Sequence, residues 1–438
     1  MSGGGRLLIR GGRVIDPASG RDAVADLLVV DGAVAAIGAA ASEGTAADET
    51  FDASGLWVLP GLIDLHAHLR EPGYEYKETV LTGTRAAVAG GFTAVCCMPN
   101  TEPPNDSAAV TRAILRKAEE AGLARVYPIG CITAGQRGER MAEYGDLVAA
   151  GCRGFSDDGR PVSHAGVMRL ALEYSRHFGV PLISHCEDLQ LAGDGVAHEG
   201  EVATRLGLRP IPAAAEEAMV AREMVLARQT GARVHIAHVS TAGSAALIAA
   251  AKAEGLAVTA EATPHHLTLT DEALEGYDTS TKVNPPLRSA ADRAALRRAL
   301  AEGIIDAVAT DHAPHGLVDK DLEFDAAANG MVGFETALPL VLRLVAEGSC
   351  SLHRAIEALT WRPARIIGVP GGRLSPGDPA DITVVAPDEE WAVDPERFHS
   401  KGRNTPFRGW KLRGRVRATL VAGRIVHRDG TFPRERAG

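Results

Sequence analysis

The sequence predicts a (β/α)8 TIM-type barrel that carries a small composite β-sandwich domain built from both chain termini. Three observations lead there. Residues 6–58 and the stretch after residue 370 alternate polar and apolar, are punctuated by Gly, and lack a long helical pattern. Between them, eight short apolar runs alternate with Ala/Leu/Glu/Arg-rich helical stretches, the rhythm of parallel strands joined by crossover helices. Histidines and aspartates recur at the ends of those runs, where such a barrel places its chemistry. Residues 1–58 and 371–438 are therefore expected to form the β-domain, and residues 59–370 the barrel.

Taken along the chain, LLIRGGRVID, DLLVVDGAVAAIG and ETFDASGLWVLP read as N-terminal strands, and ADITVVAP and RATLVAGRIVHRDG as C-terminal ones. Neither set is long enough for a core of its own, so pairing the two is the economical arrangement. Barrel strands are expected near Leu62–His66, Thr93–Met98, Val126–Cys131, Cys152–Ser156, Pro181–His185, Val234–Val239, Ala257–Ala262 and Ile305–Thr310. Helices are expected over Ser107–Ala121, His164–Phe178, Ala213–Thr230, Ser244–Glu254 and Ala290–Ala301. An open doubly wound sheet is disfavoured, because no G-x-G-x-x-G follows the first strand.

Composition narrows the function. A net charge of −10 and 4% aromatic residues argue against phosphate-backbone binding and base stacking, so no nucleic-acid partner is expected. The same charge cannot steer an anion, so any anion site must be assembled locally from Arg, His and Asn. No run of about 18 apolar residues suggests a membrane span, and MSGGGRLLIRGG lacks the apolar core of a signal peptide. The six cysteines form no Cys-x-x-Cys pair and are expected to be buried, reduced thiols in a cytoplasmic protein.

The reactive residues sit at strand ends. The first run ends in His66-Ala67-His68, with Arg70 two residues on; the second leads into Met98-Pro99-Asn100. The fourth gives Asp157-Asp158, the fifth His185, the sixth His235 and His238, and the eighth Asp311-His312 with His315 beyond. Buried histidines and carboxylates gathered at one barrel mouth point to a metal site. An all nitrogen-and-oxygen donor set favours Zn2+ or a similar divalent ion, and the number of donors suits two ions bridged by a carboxylate. Strand alternation puts His66 and His68 on one face, with Arg70 beside them if the strand stays extended. It leaves the choices between Asp157 and Asp158, and between His235 and His238, open. A surface ion pair from Arg70 to Glu71 or Glu78 is the plain alternative to an anion-binding role.

The stretches GLIDLHAHLREPG, GGFTAVCCMPNTEPPND, GFSDDG, TPHHL, KVNPPLR, ATDHAPH, MVGFETALPL and HSKGRNTPFRGWKLRGRV together resemble the class I dihydroorotases of the amidohydrolase superfamily, over nearly the whole chain. The resemblance implies His66 and His68 as ligands of one zinc, His185 and His238 as ligands of a second, and Asp158 as the bridging carboxylate. Asp311 matches the catalytic carboxylate, which also approaches the metal. Arg70, Asn100 and His315 match the groups that hold the substrate carboxylate. Asn284 and the backbone at Val332-Gly333 match further substrate contacts. His235, His265 and His266 match no ligand and are expected to be structural.

The activity implied is the reversible cyclisation of N-carbamoyl-L-aspartate to L-dihydroorotate in pyrimidine biosynthesis, with Asp311 moving the proton. A homo-oligomer is expected, and association with aspartate carbamoyltransferase is compatible with the resemblance. Hydantoinases, dihydropyrimidinases and allantoinases resemble this pattern less, since many carry a carboxylated lysine at the fourth strand and CRGFSDDGR has none. A non-catalytic relative would be expected to have lost ligands, and all are present. The polar stretch Gly316–Gly330 reads either as a lid over the site or as a plain surface connection.

Overall fold

The computed structural model describes residues 5–42 and 47–432. The barrel wall is parallel throughout. Its strands are Leu62–Ala67, Phe92–Cys97, Arg125–Pro128, Leu182–Ser184, Val234–Ile236, Val258–Ala262 and Ala307–Val308. They pair as two ladders, the first three in one and the last four in the other.

Three isolated bridges close the ring. Phe155 pairs with Gly130 on one side and Leu182 on the other, and His312 pairs with Ala67. The fourth run is thus one bridging residue rather than the strand expected over Cys152–Ser156. The reason lies in Asp157, whose Oδ1 accepts the N–H groups of Ile132 and Thr133 at 2.8 and 3.1 Å. That turns the chain out of the wall as soon as Phe155 has bonded both neighbours.

Helices fall where expected, with ends set by caps. The helix expected from Ser244 begins at Ala242, because the Thr241 side chain caps it through Ser244 N–H. Ser289 likewise opens Ala290–Ala301 through Asp292 N–H. His164 caps Ala165–Ser175, and a 3-10 turn carries that element to Phe178. Between these helices and the barrel lies one extended apolar core that includes Phe92, Phe155, Leu182, Val234, Ala262 and Phe334.

The two ends of the chain share one eight-stranded sheet. Trp57–Pro60, from the N-terminal part, pairs antiparallel with Ile382–Val385 from the C-terminal part. Side chains from both, including Ile9, Val14, Val29, Val58, Ile382 and Leu420, meet in one buried cluster. Pairing across the chain therefore supplies the core that neither end could build alone. All six cysteines are buried and unpaired. No described helix is long and apolar enough to cross a membrane.

Candidate active site and metal centre

Asp158 organises the site. Its Oδ1 lies 3.3 Å from His66 Nε2 and 3.5 Å from both His185 Nδ1 and His238 Nε2, and its Oδ2 lies 3.6 Å from His68 Nε2. One carboxylate thus faces four buried histidines drawn from three barrel positions. Asp157, turned toward Ile132 and Thr133, takes no part. Asp311 completes the group, its Oδ1 3.1 Å from His68 Nε2 and 3.6 Å from His66 Nε2.

The residues fit a metal site. His66, His68 and Asp158 form one set of three donors and Asp158, His185 and His238 a second, each with its atoms within 4.8 Å of one another. Asp158 belongs to both. His66 Nε2 and Asp158 Oδ1 are buried without a hydrogen-bond partner, a costly state for polar atoms unless a cation satisfies them. Burial disfavours charge on Asp158, yet His66, His185 and His238 hold its carboxyl well below the usual range. Burial acts the same way on Asp311, and His66 and His68 outweigh it. Both carboxylates are poised to be ionised, as ligands must be.

Backbone geometry places several of these groups. Arg70, His238 and Asp311 have φ of 61, 32 and 46°, in the left-handed region that side chains other than Gly rarely adopt. The choice between His235 and His238, left open by strand alternation, falls to His238 for this reason. The sixth strand ends at Ile236, and the chain then leaves extended geometry and brings His238 into the cluster. Arg70 likewise does not continue an extended strand. Its Nε donates to Pro314 O at 3.3 Å, and it lines a cavity of about 260 Å3 with Asn100, Asp158 and Lys77. Neither Glu71 nor Glu78 forms an ion pair with it. Glu71 accepts Val80 N–H, and Glu78 is held by His312 and Ser400.

The remaining expected contacts are present but already partnered. Asn100 Oδ1 bonds His68 Nδ1 at 2.9 Å, which turns His68 Nε2 toward Asp158. His315 bonds Lys77 through Nδ1 and Asn329 O through Nε2. Burial and the neighbouring Arg70 and Lys77 push its pKa down to about 2, so it is neutral. The N–H groups of Val332 and Gly333 bond Asn404 O and His312 Nδ1. Segment 316–330 contains the helix Leu317–Lys320 and buries Lys320, Phe324 and Ala327. The Lys320 ammonium bonds Thr279 O and Ala328 O.

A model of the Amidohydrolase family matches residues 57–426. The chain belongs to the amidohydrolase family. This amidohydrolase is 58% identical over 425 residues to a protein of Anaeromyxobacter dehalogenans named dihydroorotase, covering 97% of this chain and 98% of that one. It is 57% identical over 425 residues to a dihydroorotase of Pelotomaculum thermopropionicum, covering 97% and 99%. Among solved structures it is similar to the L-hydantoinase (dihydropyrimidinase) of Arthrobacter aurescens, with a TM-score of 0.86, 27% identity and coverage of 98% and 97%.

Two carboxylates that orient this amidohydrolase's histidines escaped the sequence reading. Glu261, fully buried on the seventh strand, accepts from His66 Nδ1 at 3.0 Å and from His235 Nε2 at 3.1 Å. Burial pushes Glu261 upward, but those two histidines bring it down to about 2. Glu187 bonds His185 Nε2 at 3.4 Å and accepts from Asn284 Nδ2 at 3.1 Å. The signal for Glu261 was available: a lone carboxylate in the apolar run AVTAEA, sharing a face with Thr259. Glu261→Gln keeps the shape but can accept from only one histidine. It is expected to cost about 10–100-fold in metal affinity or activity, read as metal retained against graded chelator. Unchanged retention would reduce Glu261 to packing.

Proposed function

We propose that the chain is a dihydroorotase, interconverting N-carbamoyl-L-aspartate and L-dihydroorotate in pyrimidine biosynthesis. The observation that carries this reading is a guanidinium, Arg70, set into the same small cavity as Asn100 and Asp158, beside a histidine–carboxylate centre. A ring carrying a carboxylate needs that cation; a neutral ring has less use for it. Identity of 53–58% to proteins named dihydroorotase, over nearly the full chain, supports the same conclusion.

Zinc is the ion we assign, two per chain. His66 and His68 would hold one and His185 and His238 the other, with Asp158 between them and Asp311 alongside. Bound there, such ions supply Lewis acidity toward a carbonyl oxygen and lower the pKa of water. The chain's own residues do the rest. Arg70, Asn100 and His315 hold the carboxylate that takes no part in the chemistry, and Asn284 and the Val332-Gly333 backbone hold the ring. This fixes the scissile amide over the centre. Asp311 moves the proton: toward the leaving ring nitrogen in hydrolysis, and from the carbamoyl nitrogen in cyclisation.

The deciding experiment is an assay of the purified chain alone, with zinc, for interconversion of the two compounds; no turnover in either direction would remove the reading. Arg70→Ala is expected to raise KM by about 10–100-fold, the worth of a charge-assisted hydrogen bond. Metal content should stay at the parent level, and equal KM would return Arg70 to a structural role. The six buried, unpaired cysteines suit a reducing compartment, and we assign the cytoplasm. A homo-oligomer and association with aspartate carbamoyltransferase belong to the same reading; gel filtration with and without that partner tests both.

A further inference from the structure

We infer that Asn404 is a positioning residue for substrate recognition, holding the loops that carry His315 and Val332-Gly333 in place from outside the barrel. The inference rests on the dihydroorotase reading. Asn404 lies in the motif HSKGRNTPF, whose role neither the metal centre nor Asp311 explains.

Its location is unusual. Strands Ile382–Ala392 and Lys411–Val421 of the terminal sheet pair antiparallel, with Ala392 opposite Lys411. Residues 393–410 are the connection between them. Hairpin connections are commonly about 2–5 residues, and ones beyond about 12–15 usually have a function. Here the excursion crosses to the barrel mouth and packs Phe398 and Phe407 against Met331 and Val332.

Asn404 is buried and uses its whole amide there. Oδ1 accepts the His315 N–H at 3.1 Å, while Nδ2 donates to Ala313 O and Gly330 O, each at 3.0 Å. Its backbone carbonyl accepts Val332 N–H at 2.9 Å. One side chain thus staples the segment carrying His315 to the segment carrying Val332. Only an amide offers one acceptor and two donors in this arrangement. A carboxylate would set charged oxygen against two carbonyl oxygens. Gly402 reinforces the contact: a Cβ there would lie 2.8 Å from Pro314 Cβ and 2.9 Å from Val332 Cγ1, so only Gly permits the approach. Asp311 is held separately, through Asp64, which accepts from Thr310 N–H at 2.9 Å. Loosening Asn404 therefore disturbs binding and leaves the proton-transfer group in place.

The test uses the full-length, zinc-loaded chain. Asn404→Asp is expected to raise KM for dihydroorotate at least tenfold, with kcat within threefold and metal content at the parent level. Asn404→Ser, which keeps an acceptor and one donor, should fall between and carries the test if the Asp variant does not fold. In a His315→Ala background the Asn404 substitution should add less than its full factor, because part of its effect runs through that residue. Unchanged KM in a folded variant, or a full multiplicative effect in the His315→Ala background, would overturn the inference. A parent chain that does not interconvert the two compounds would overturn the dihydroorotase reading, and this inference with it.

Discussion

Asp311→Asn is expected to lower kcat by about 10²–10⁴-fold, the usual worth of a positioned acid–base group, while dihydroorotate still binds. Local structure holds Asp311 in place. Its backbone is fixed at a φ of 46°, and Thr310 beside it is pinned by Asp64. Its Oδ1 sits 3.1 Å from His68 Nε2, at the edge of the metal centre. Asparagine keeps the volume but cannot accept and return a proton. Because Asp311 also faces the centre, metal content must be measured beside kcat and ligand binding. Full metal, normal binding and a near-normal kcat would show that another group moves the proton.

Asp158→Ala should empty the centre. The carboxylate lies within 3.6 Å of all four histidines and is the only donor common to both sets. Removing it leaves the four imidazoles with no carboxylate shared among them, since Asp311 pairs with His66 and His68 alone. Loss of a residue that merely orients a ligand costs about 10–100-fold, so loss of a shared ligand is expected to exceed that in activity. Metal content after dialysis should fall well below the parent's. A variant that retained as much zinc as the parent would count against the bridging assignment.

Much of this arrangement was legible in the sequence, and the reasons are specific. His66 and His68 declared themselves because residues two apart on a strand share a face. The barrel followed from the alternation of apolar runs with helices, and the pairing of the termini from two strand sets each too small to stand alone. What alternation could not reach lay beyond the strands. His238, Asp311 and Arg70 enter the site through left-handed backbone, which no periodicity describes. The choice between Asp157 and Asp158 turned on a tertiary contact, the capture of Asp157 by Ile132 and Thr133 N–H groups. Glu261 was hidden because a carboxylate in an apolar strand reads as an exception until its two histidine partners are in place. Asn404 was hidden by distance, since its side-chain partners lie 74 to 91 residues away along the chain.

The sheet shared by the two termini also fixes when the molecule can become complete. Val58 pairs with Val384 and Pro60 with Ile382, so Trp57–Pro60, which borders an N-terminal strand on its other side, meets its C-terminal neighbour only after the whole barrel has been made. At synthesis rates of about 5–20 residues per second, that wait is on the order of half a minute. During it, Trp57–Pro60 presents an unpaired edge beside a barrel whose substrate loops still lack their clasp. The chain is therefore expected to gain its catalytic competence last, after release of its C-terminal strands. Truncations after residue 370 should yield an aggregation-prone barrel rather than a smaller working enzyme.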